Sequence, residues 1–580
     1  MQRNVALVRK KYLEYLGSTL AYSLSLYVAN IVDAILVGQL MGPMPLTAIN
    51  LTMPVVYVKN IMLMLFVNGG SIIAAQYLGE RRKADVNKIF TLSFLGCIAA
   101  DLALLLIGSA LSASIADLLT LNGSGRDYVL AYLIPLFAAG PVQAATNGAS
   151  AFVRLDGRHR LAAALPMVSN TINLICDYVF IRFFHWGIAG AGWATVTGYA
   201  CGMLLLIPYF MDNTRNLHLV PIKAADLKLL PQCFRVGLPM AFIQGGNVLR
   251  NFIINSVVLS HLGDMGSQIL SVCNNALFYA IMFAEGVATA MSSICGTLFG
   301  EKDMSAVRSL LKRSLLLAGA ICVGLFLLLE LFPVQFGQFY NITEPETQAM
   351  LSRYLRIFAI YLPFLAPVFV LRSFYQATKH TNEATVISML EGAIVTIPVF
   401  LVLSALSTDL MWMGNCLGAL ISLAIVMIVM QKRARREGAD SFLMLRETDI
   451  GHSHEFSLDA SLNGAENASR ETISFLRGCG VSEKVANAMG VAAEELCVNV
   501  AHYAGVPPQE QIDAFLRVLD DRVLLKVRDS GVPFNPTEFM GETGEHITGL
   551  ALIRAMGCEI EYDRIIGFNT TIITALREHG

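Results

Sequence analysis

The chain has 580 residues, of which 55% are hydrophobic and only 15% charged, and a net charge of −2. That balance hides a split: residues 1–436 carry 31 Lys/Arg against 21 Asp/Glu, whereas residues 437–580 carry 11 against 23. The first part is too apolar to be a string of soluble domains and the second too acidic to favour nucleic acid, so a polytopic membrane part followed by one soluble domain is expected.

A bilayer crossing takes roughly 20 apolar residues. Twelve segments qualify, at approximately 14–40, 46–78, 89–119, 128–153, 161–184, 187–211, 235–262, 268–299, 310–333, 353–377, 384–406 and 408–431. The opening "MQRNVALVRKKYLEYL" is charged through Glu14 and has no cleavage-like site, so no removable signal peptide is expected. An even count puts both termini on one side. Arg3, Arg9, Lys10, Lys11, Arg81, Arg82, Lys83, Lys88 and the run Lys432–Arg436 share that side, which the positive-inside rule makes cytoplasmic. A multi-pass protein of the plasma (inner) membrane with a cytosolic tail follows. The eleven cysteines show no C-x-x-C or His/Cys cluster and read as packing residues.

The membrane part repeats. "YLGERRKADVNKIF" from Tyr77 matches "LFGEKDMSAVRSLL" from Leu298, and "FVRLDGRHR" from Phe152 sits against "FYQATKHTN" from Phe374, at offsets of 221 and 222. Two six-helix halves related by duplication are a transporter architecture, with binding between the halves.

Ionisable groups inside a bilayer are expensive, so each needs a reason. Asp33 lies in the first span, one helical turn from Asn30, and Asn170, Asn173 and Asp177 occupy one face of the fifth. Thr195 and Thr197 add hydroxyls from the sixth. Such oxygens suit a hard monovalent cation or a shared proton, while Asn30, Asn170 and Thr197 read equally well as interhelical hydrogen-bonding glue. Lys59, Arg250 and Glu285 either line a central cavity suited to an amphipathic or anionic compound, or snorkel near an interface.

With "NIVDAILVGQLMG" in the first helix and "AAQYLGERRKADV" closing the second, residues 10–435 resemble the multidrug and toxic-compound extrusion family. Asp33, Asn173, Asp177 and Thr195 are similar to the N-lobe cation site of its DNA-damage-inducible branch. The resemblance implies antiport, in which H⁺ or Na⁺ entering through that site drives export of a small organic compound.

After "KRARREGADSFLMLRETDIGHSH" the pattern changes. "HEFSLDAS" alternates like a strand, "AENASRETISFLRG" reads as an amphipathic helix, and Ser482 is a candidate cap for a second helix reaching about Tyr503. "DAFLRVL" and "RVLLKVRD" flank an Asp-Asp turn; a short helix "GLALIRAMG" and strands "EIEYDR" and "NTTIITAL" follow. Helices over one face of an antiparallel sheet make an α+β sandwich. Glu495 and Asn499, four apart, project from one side of the second helix, where a carboxylate can act as base and an amide oxygen can ligate Mg²⁺.

The pair "EELCVN" and "DSGVPF" resembles the GHKL-type ATP-binding fold of gyrase, histidine kinases and, most closely, the anti-sigma-factor serine kinases, over about residues 450–576. That resemblance implies Glu495 as catalytic base, Asn499 on Mg²⁺, Asp529 with Gly531 reading adenine, and Gly549 and Thr570 on ATP. His546 and Ile547 stand where the family's lid has paired glycines, so the backbone there approaches phosphates less freely than the family's does.

The expected architecture is mainly α: 12 transmembrane helices in two six-helix lobes (1–212 and 213–436) plus a cytosolic α+β sandwich (450–580). The expected function is a cation-coupled antiporter whose tail is a regulatory or serine-kinase-like domain acting on a candidate protein substrate. The alternative is a membrane-tethered signalling kinase whose transmembrane part senses a ligand. No nucleic acid is expected as a partner.

Overall fold

A computed structural model describes residues 3–577 apart from 4, 42–44, 46–47, 50, 121–124, 214, 341, 343, 438–441, 446–451, 504–509, 534, 536 and 538–552. The side chains of 26, 29–35, 37–39, 243 and 264 also fall outside the description. The chain divides into two compact units: Glu14–Asp303 with Leu310–Met444, and Met1–Leu13 with Met304–Ser309 and Leu445–Gly580.

The larger unit is helical. In chain order its long helices are α1 (Ala6–Met41), α2 (Met53–Gly79), α3 (Lys83–Ala110), α4 (Arg126–Leu155), α5 (His159–Arg182), α6 (Gly187–Met211), α7 (Leu230–Gly300), α8 (Met304–Leu331), α9 (Pro345–Ala377), α10 (Thr381–Leu406) and α11 (Gly414–Glu437), the first turns of α1 and α8 belonging to the smaller unit. Among the described residues, ten helices are long and apolar enough to cross a membrane. The expected first and seventh spans lie in α1 and in the first half of α7, both of which contain residues outside those described. α7 bends at Gly263, whose φ of 60° and ψ of −153° break the helix into two consecutive spans.

The duplication is written into the backbone. Arg81 and Lys302, 221 positions apart, have φ of 60° and 61°; Gly157 and Lys379, 222 apart, have 84° and 65°. Arg81 and Lys302 each follow a helix end closed by the same pair of bonds: Arg82 N to Tyr77 O (2.9 Å) with Arg81 N to Leu78 O (3.1 Å), and Asp303 N to Leu298 O (2.9 Å) with Lys302 N to Phe299 O (3.0 Å). This left-handed cap satisfies carbonyls that the helix end would otherwise orphan, which is why even Arg and Lys accept a positive φ there. The halves also meet symmetrically. A Cβ on Gly79 would stand 2.1 Å from Thr297 O, and one on Gly300 would stand 2.3 Å from Gln76 O, so α2 and α7 touch backbone to backbone at two equivalent glycines.

In the smaller unit an antiparallel sheet runs in the order β1-β2-β3-β5-β4, with β1 (His452–Asp459), β2 (Gln511–Val518), β3 (Arg522–Asp529), β4 (Glu559–Ile565) and β5 (Phe568–Leu576). Helices α12 (Leu462–Gly478) and α13 (Glu483–Tyr503) pack together over one face. Ser461 caps α12 through Gly464 N at 3.1 Å, and Ser482 accepts from Val485 N at 3.4 Å. Strand alternation sends Ile512, Ala514, Leu516, Val523, Leu525 and Val527 under the helices. The opposite face carries Asp513, Phe515 and Arg528, which are also buried.

Candidate functional site

Each unit holds one of the clusters that the sequence points to. In the N-lobe, α5 and α6 are pressed together: a Cβ on Gly198 would come within 2.5 Å of Ser169 O and 2.9 Å of Asn173 N. That closeness lets Asn173 Nδ2 donate to Thr195 Oγ1 at 3.3 Å, while Thr195 itself donates to Ala191 O. Asp177, one turn beyond Asn173 on α5, is fully buried. Thr197 lies on another side of α6 and back-bonds to Trp193 O, so it does not join Asn173.

The side chains of Asn30 and Asp33 lie outside the described residues, but the register of α1 against α5 does not. The Tyr15 and His159 rings stand 5.0 Å apart, and Asn170 Nδ2 donates to Ser25 Oγ at 3.3 Å. The two helices therefore run parallel, advancing 10 and 11 residues between contacts. Positions 33 and 177 follow eight and seven residues after the second of these contacts, on helices that run in the same direction.

Of the other charges within the apolar spans, Lys59 and Arg250 are buried, whereas Glu285 is partly exposed. Lys59 donates to Leu136 O at 3.0 Å and, with Asp101, borders Gly140, where a Cβ would stand 3.3 Å from Lys59 Cε and 3.2 Å from Asp101 Oδ1. Arg250 donates to Glu391 at 2.8 Å, Tyr361 OH donates to the same oxygen at 2.9 Å, and Glu391 sits in a π-helical turn, Leu390–Ile394. Arg372 donates to Glu285 at 3.2 Å. Sequence reading passed over Asp101, Glu391 and Arg372, although the rule that marked Asp33 marks them equally.

In the tail, Asn499 is buried and donates to Glu495 Oε1 at 3.4 Å; its amide oxygen has no hydrogen bond among the described residues and so fits a metal ligand. Burial holds the Glu495 carboxyl above the ordinary carboxylate range, against the opposing pull of that bond. Asp529 ends β3, and its Oδ1 accepts from Gly531 N and from Asn569 Nδ2, both at 2.8 Å. Asn569 is held in turn by Tyr562 OH at 2.9 Å and Arg564 Nη1 at 2.7 Å. Burial pushes Asp529 up to about 6, although Gly531, Asn569 and Arg564 each pull it down.

Thr570 needs correction. It pairs with Arg528 on the sheet face away from the helices, whereas Asn569 pairs with Asp529 and Thr571 with Val527 on the helix side. A strand's period of two means that a one-residue slip reverses the face. Thr571, not Thr570, shares the Asp529 side. Gly549 lies outside the described residues.

Comparisons with known proteins agree with both halves. The family model MatE matches residues 19–179 and 239–402, and a model for the histidine kinase-like ATPase domain matches 458–575. The multidrug export protein MepA of Staphylococcus aureus (strain bovine RF122 / ET3-1) is 24% identical over 420 residues, covering 70% of this chain and 90% of that protein. MepA of Staphylococcus haemolyticus is 23% identical over 403 residues, 67% of this chain and 86% of its own. Among solved structures, an outward-facing multidrug resistance MATE family transporter of the MOP superfamily superposes with a TM-score of 0.68 at 18% identity, covering 77% of this chain and all of that one. A MOP superfamily transporter from Pyrococcus furiosus gives 0.68 at 18% identity, over 75% and 98%.

Proposed function

The chain belongs to the MatE family, and from that membership we propose that it is a cation-coupled exporter of organic compounds whose C-terminal histidine kinase-like ATPase domain binds ATP and regulates transport. Asp177 carries the reading. A fully buried carboxylate one turn from the Asn173–Thr195 pair, on a helix that runs parallel to α1, is a place where a proton or Na⁺ is held in low dielectric and released when the helices part. Asp33, Asp177, Asn173 and Thr195 are its proposed ligands. The energy source is the ion gradient, and the exported compound is a small organic molecule entering between the lobes.

In the tail, Glu495 is the proposed base, Asn499 the Mg²⁺ ligand, and Asp529 with Gly531 the adenine reader. Mg²⁺ would neutralise phosphate charge there. The residues themselves orient: Asn569 and Gly531 grip one oxygen of Asp529 and leave the other for an exocyclic amine. The test is efflux from proteoliposomes under an imposed proton or sodium gradient, with and without ATP on the tail side. Transport driven by the gradient alone, altered in rate by ATP, is expected. Transport that requires ATP and ignores the gradient overturns the assignment.

A pH dependence follows from Asp529, whose value near 6 exceeds the ordinary 3.8. In the empty domain this group's favourable contribution to stability is present below about 4 and fades as pH rises through about 6, because the ionised form is the one burial penalises. A ligand amine needs that ionised acceptor, so ATP affinity runs the other way. It should be level above about pH 7 and fall roughly tenfold per unit below 6, read as a shrinking ATP-induced thermal shift of the tail.

A further inference from the structure

The helix-free face of the ATPase sheet should be open to water in a two-layer domain, yet Asp513 is 0% exposed and Phe515 3%. The chain's own first residues lie against it, together with Met304–Ser309, whose Ser305 Oγ accepts from Arg3 Nη1 at 3.0 Å and donates to Glu455 Oε2 at 3.1 Å. Met1–Leu13 cluster with the tail in one unit, and Arg3 is the anchor. Its Nε and Nη2 both donate to Asp513 Oδ2 at 3.2 Å, its Nη1 donates to Glu455 Oε2 at 3.0 Å, and its guanidinium lies 4.4 Å from the centre of the Phe515 ring. Asp513 Oδ1 is occupied by Ser457 Oγ at 2.7 Å, so this carboxylate is engaged on both oxygens. Two further contacts follow along the segment: Lys10 pairs with Glu510, and Lys11 Nζ stands 5.8 Å over the Phe568 ring.

This face is wired to the pocket on the other side. Glu510, the partner of Lys10, accepts from Ser530 Oγ at 3.1 Å with its second oxygen. Ser530 separates Asp529 from Gly531, the two residues proposed to read adenine. Arg528, 5.0 Å from the Phe515 ring that Arg3 covers, precedes Asp529 on the same strand. One strand end is thus shared by the nucleotide pocket and the N-terminal segment.

We propose that residues 3–11 form a built-in strap on the outer sheet face, and that nucleotide in the pocket and the strap alter each other's hold. This rests on the reading of the tail as a nucleotide-binding domain. Linkage is reciprocal, so whatever ATP does to the strap, the strap does to ATP affinity. Because Lys10 and Lys11 of the strap are themselves on the first turns of α1, the helix that carries Asp33, nucleotide state reaches the transport half through a covalent connection.

The test uses the full chain in nanodiscs, a fluorescent ATP analogue, and hydrogen exchange of residues 3–11. Lys10→Glu and Glu510→Lys reverse an exposed pair that the core does not need. Such pairs are worth up to about 1 kcal/mol, so each single change should shift the analogue's Kd about two- to fivefold, and the double exchange should restore it. ATP should change exchange in 3–11 at least about threefold, and Arg3→Glu should remove that response. Analogue binding with native affinity in every variant, together with exchange in 3–11 indifferent to ATP, overturns the strap while leaving the nucleotide reading intact. No analogue binding to the native chain overturns the nucleotide reading and the linkage with it.

Discussion

Asp177→Asn lowers gradient-driven efflux from proteoliposomes to the leak rate, roughly a hundredfold. The substitution keeps volume and shape, so the α5–α6 contact at Gly198 survives, but a neutral amide neither exchanges a proton nor offsets the charge of a bound Na⁺. Losing a charged partner costs about 3 kcal/mol, and each 1.4 kcal/mol is about tenfold. Asp33→Asn should match it if the two carboxylates share one ion, as proposed from the parallel course of α1 and α5. Asn173→Ala removes only a neutral bond to Thr195, worth about 1 kcal/mol, and should cost roughly fivefold. The measurement is substrate release against an imposed gradient, with reconstituted protein quantified in each vesicle batch. Efflux at the native rate in Asp177→Asn would remove the N-lobe from the coupling mechanism, whatever the tail does.

Asp529→Asn raises the Kd for ATP about thirtyfold and narrows the preference for ATP over GTP. One oxygen of Asp529 already accepts from Gly531 and Asn569, and the asparagine oxygen inherits those bonds. The amide nitrogen must then take the position facing the base, where it opposes the exocyclic amine of adenine but can donate to the carbonyl of guanine. A hydrogen bond to a charged group is worth about 2 kcal/mol, which converts to the thirtyfold loss. Calorimetry with both nucleotides reads the outcome. An equal loss for ATP and GTP, or none, would show that Asp529 does not read the base.

Much of this protein was legible in the sequence because its largest signals are local or periodic. Apolar length marks a span wherever it occurs, and the 221-residue offset reappears as left-handed Arg81 and Lys302 because identical helix ends need identical caps. Asn173 and Thr195 are grouped in advance only through the family resemblance, since the sixth span offers Thr197 as a second hydroxyl. Glu495 and Asn499 share a helix, and four residues are one turn.

The tertiary structure decided what depends on distant partners or on register. Arg250 meets Glu391 across 141 positions and Lys59 lies beside Asp101, so charges that looked adrift in apolar spans are in fact held in company. Thr570 and Thr571 are indistinguishable as sequence, and only the pairing of β5 with β3 assigns one to each face. The partner of Arg3 lies 510 residues away. Hydropathy and helical spacing record what one residue does with its neighbours along the chain, whereas a buried charge or an outer sheet face is completed by whatever the folded backbone brings against it.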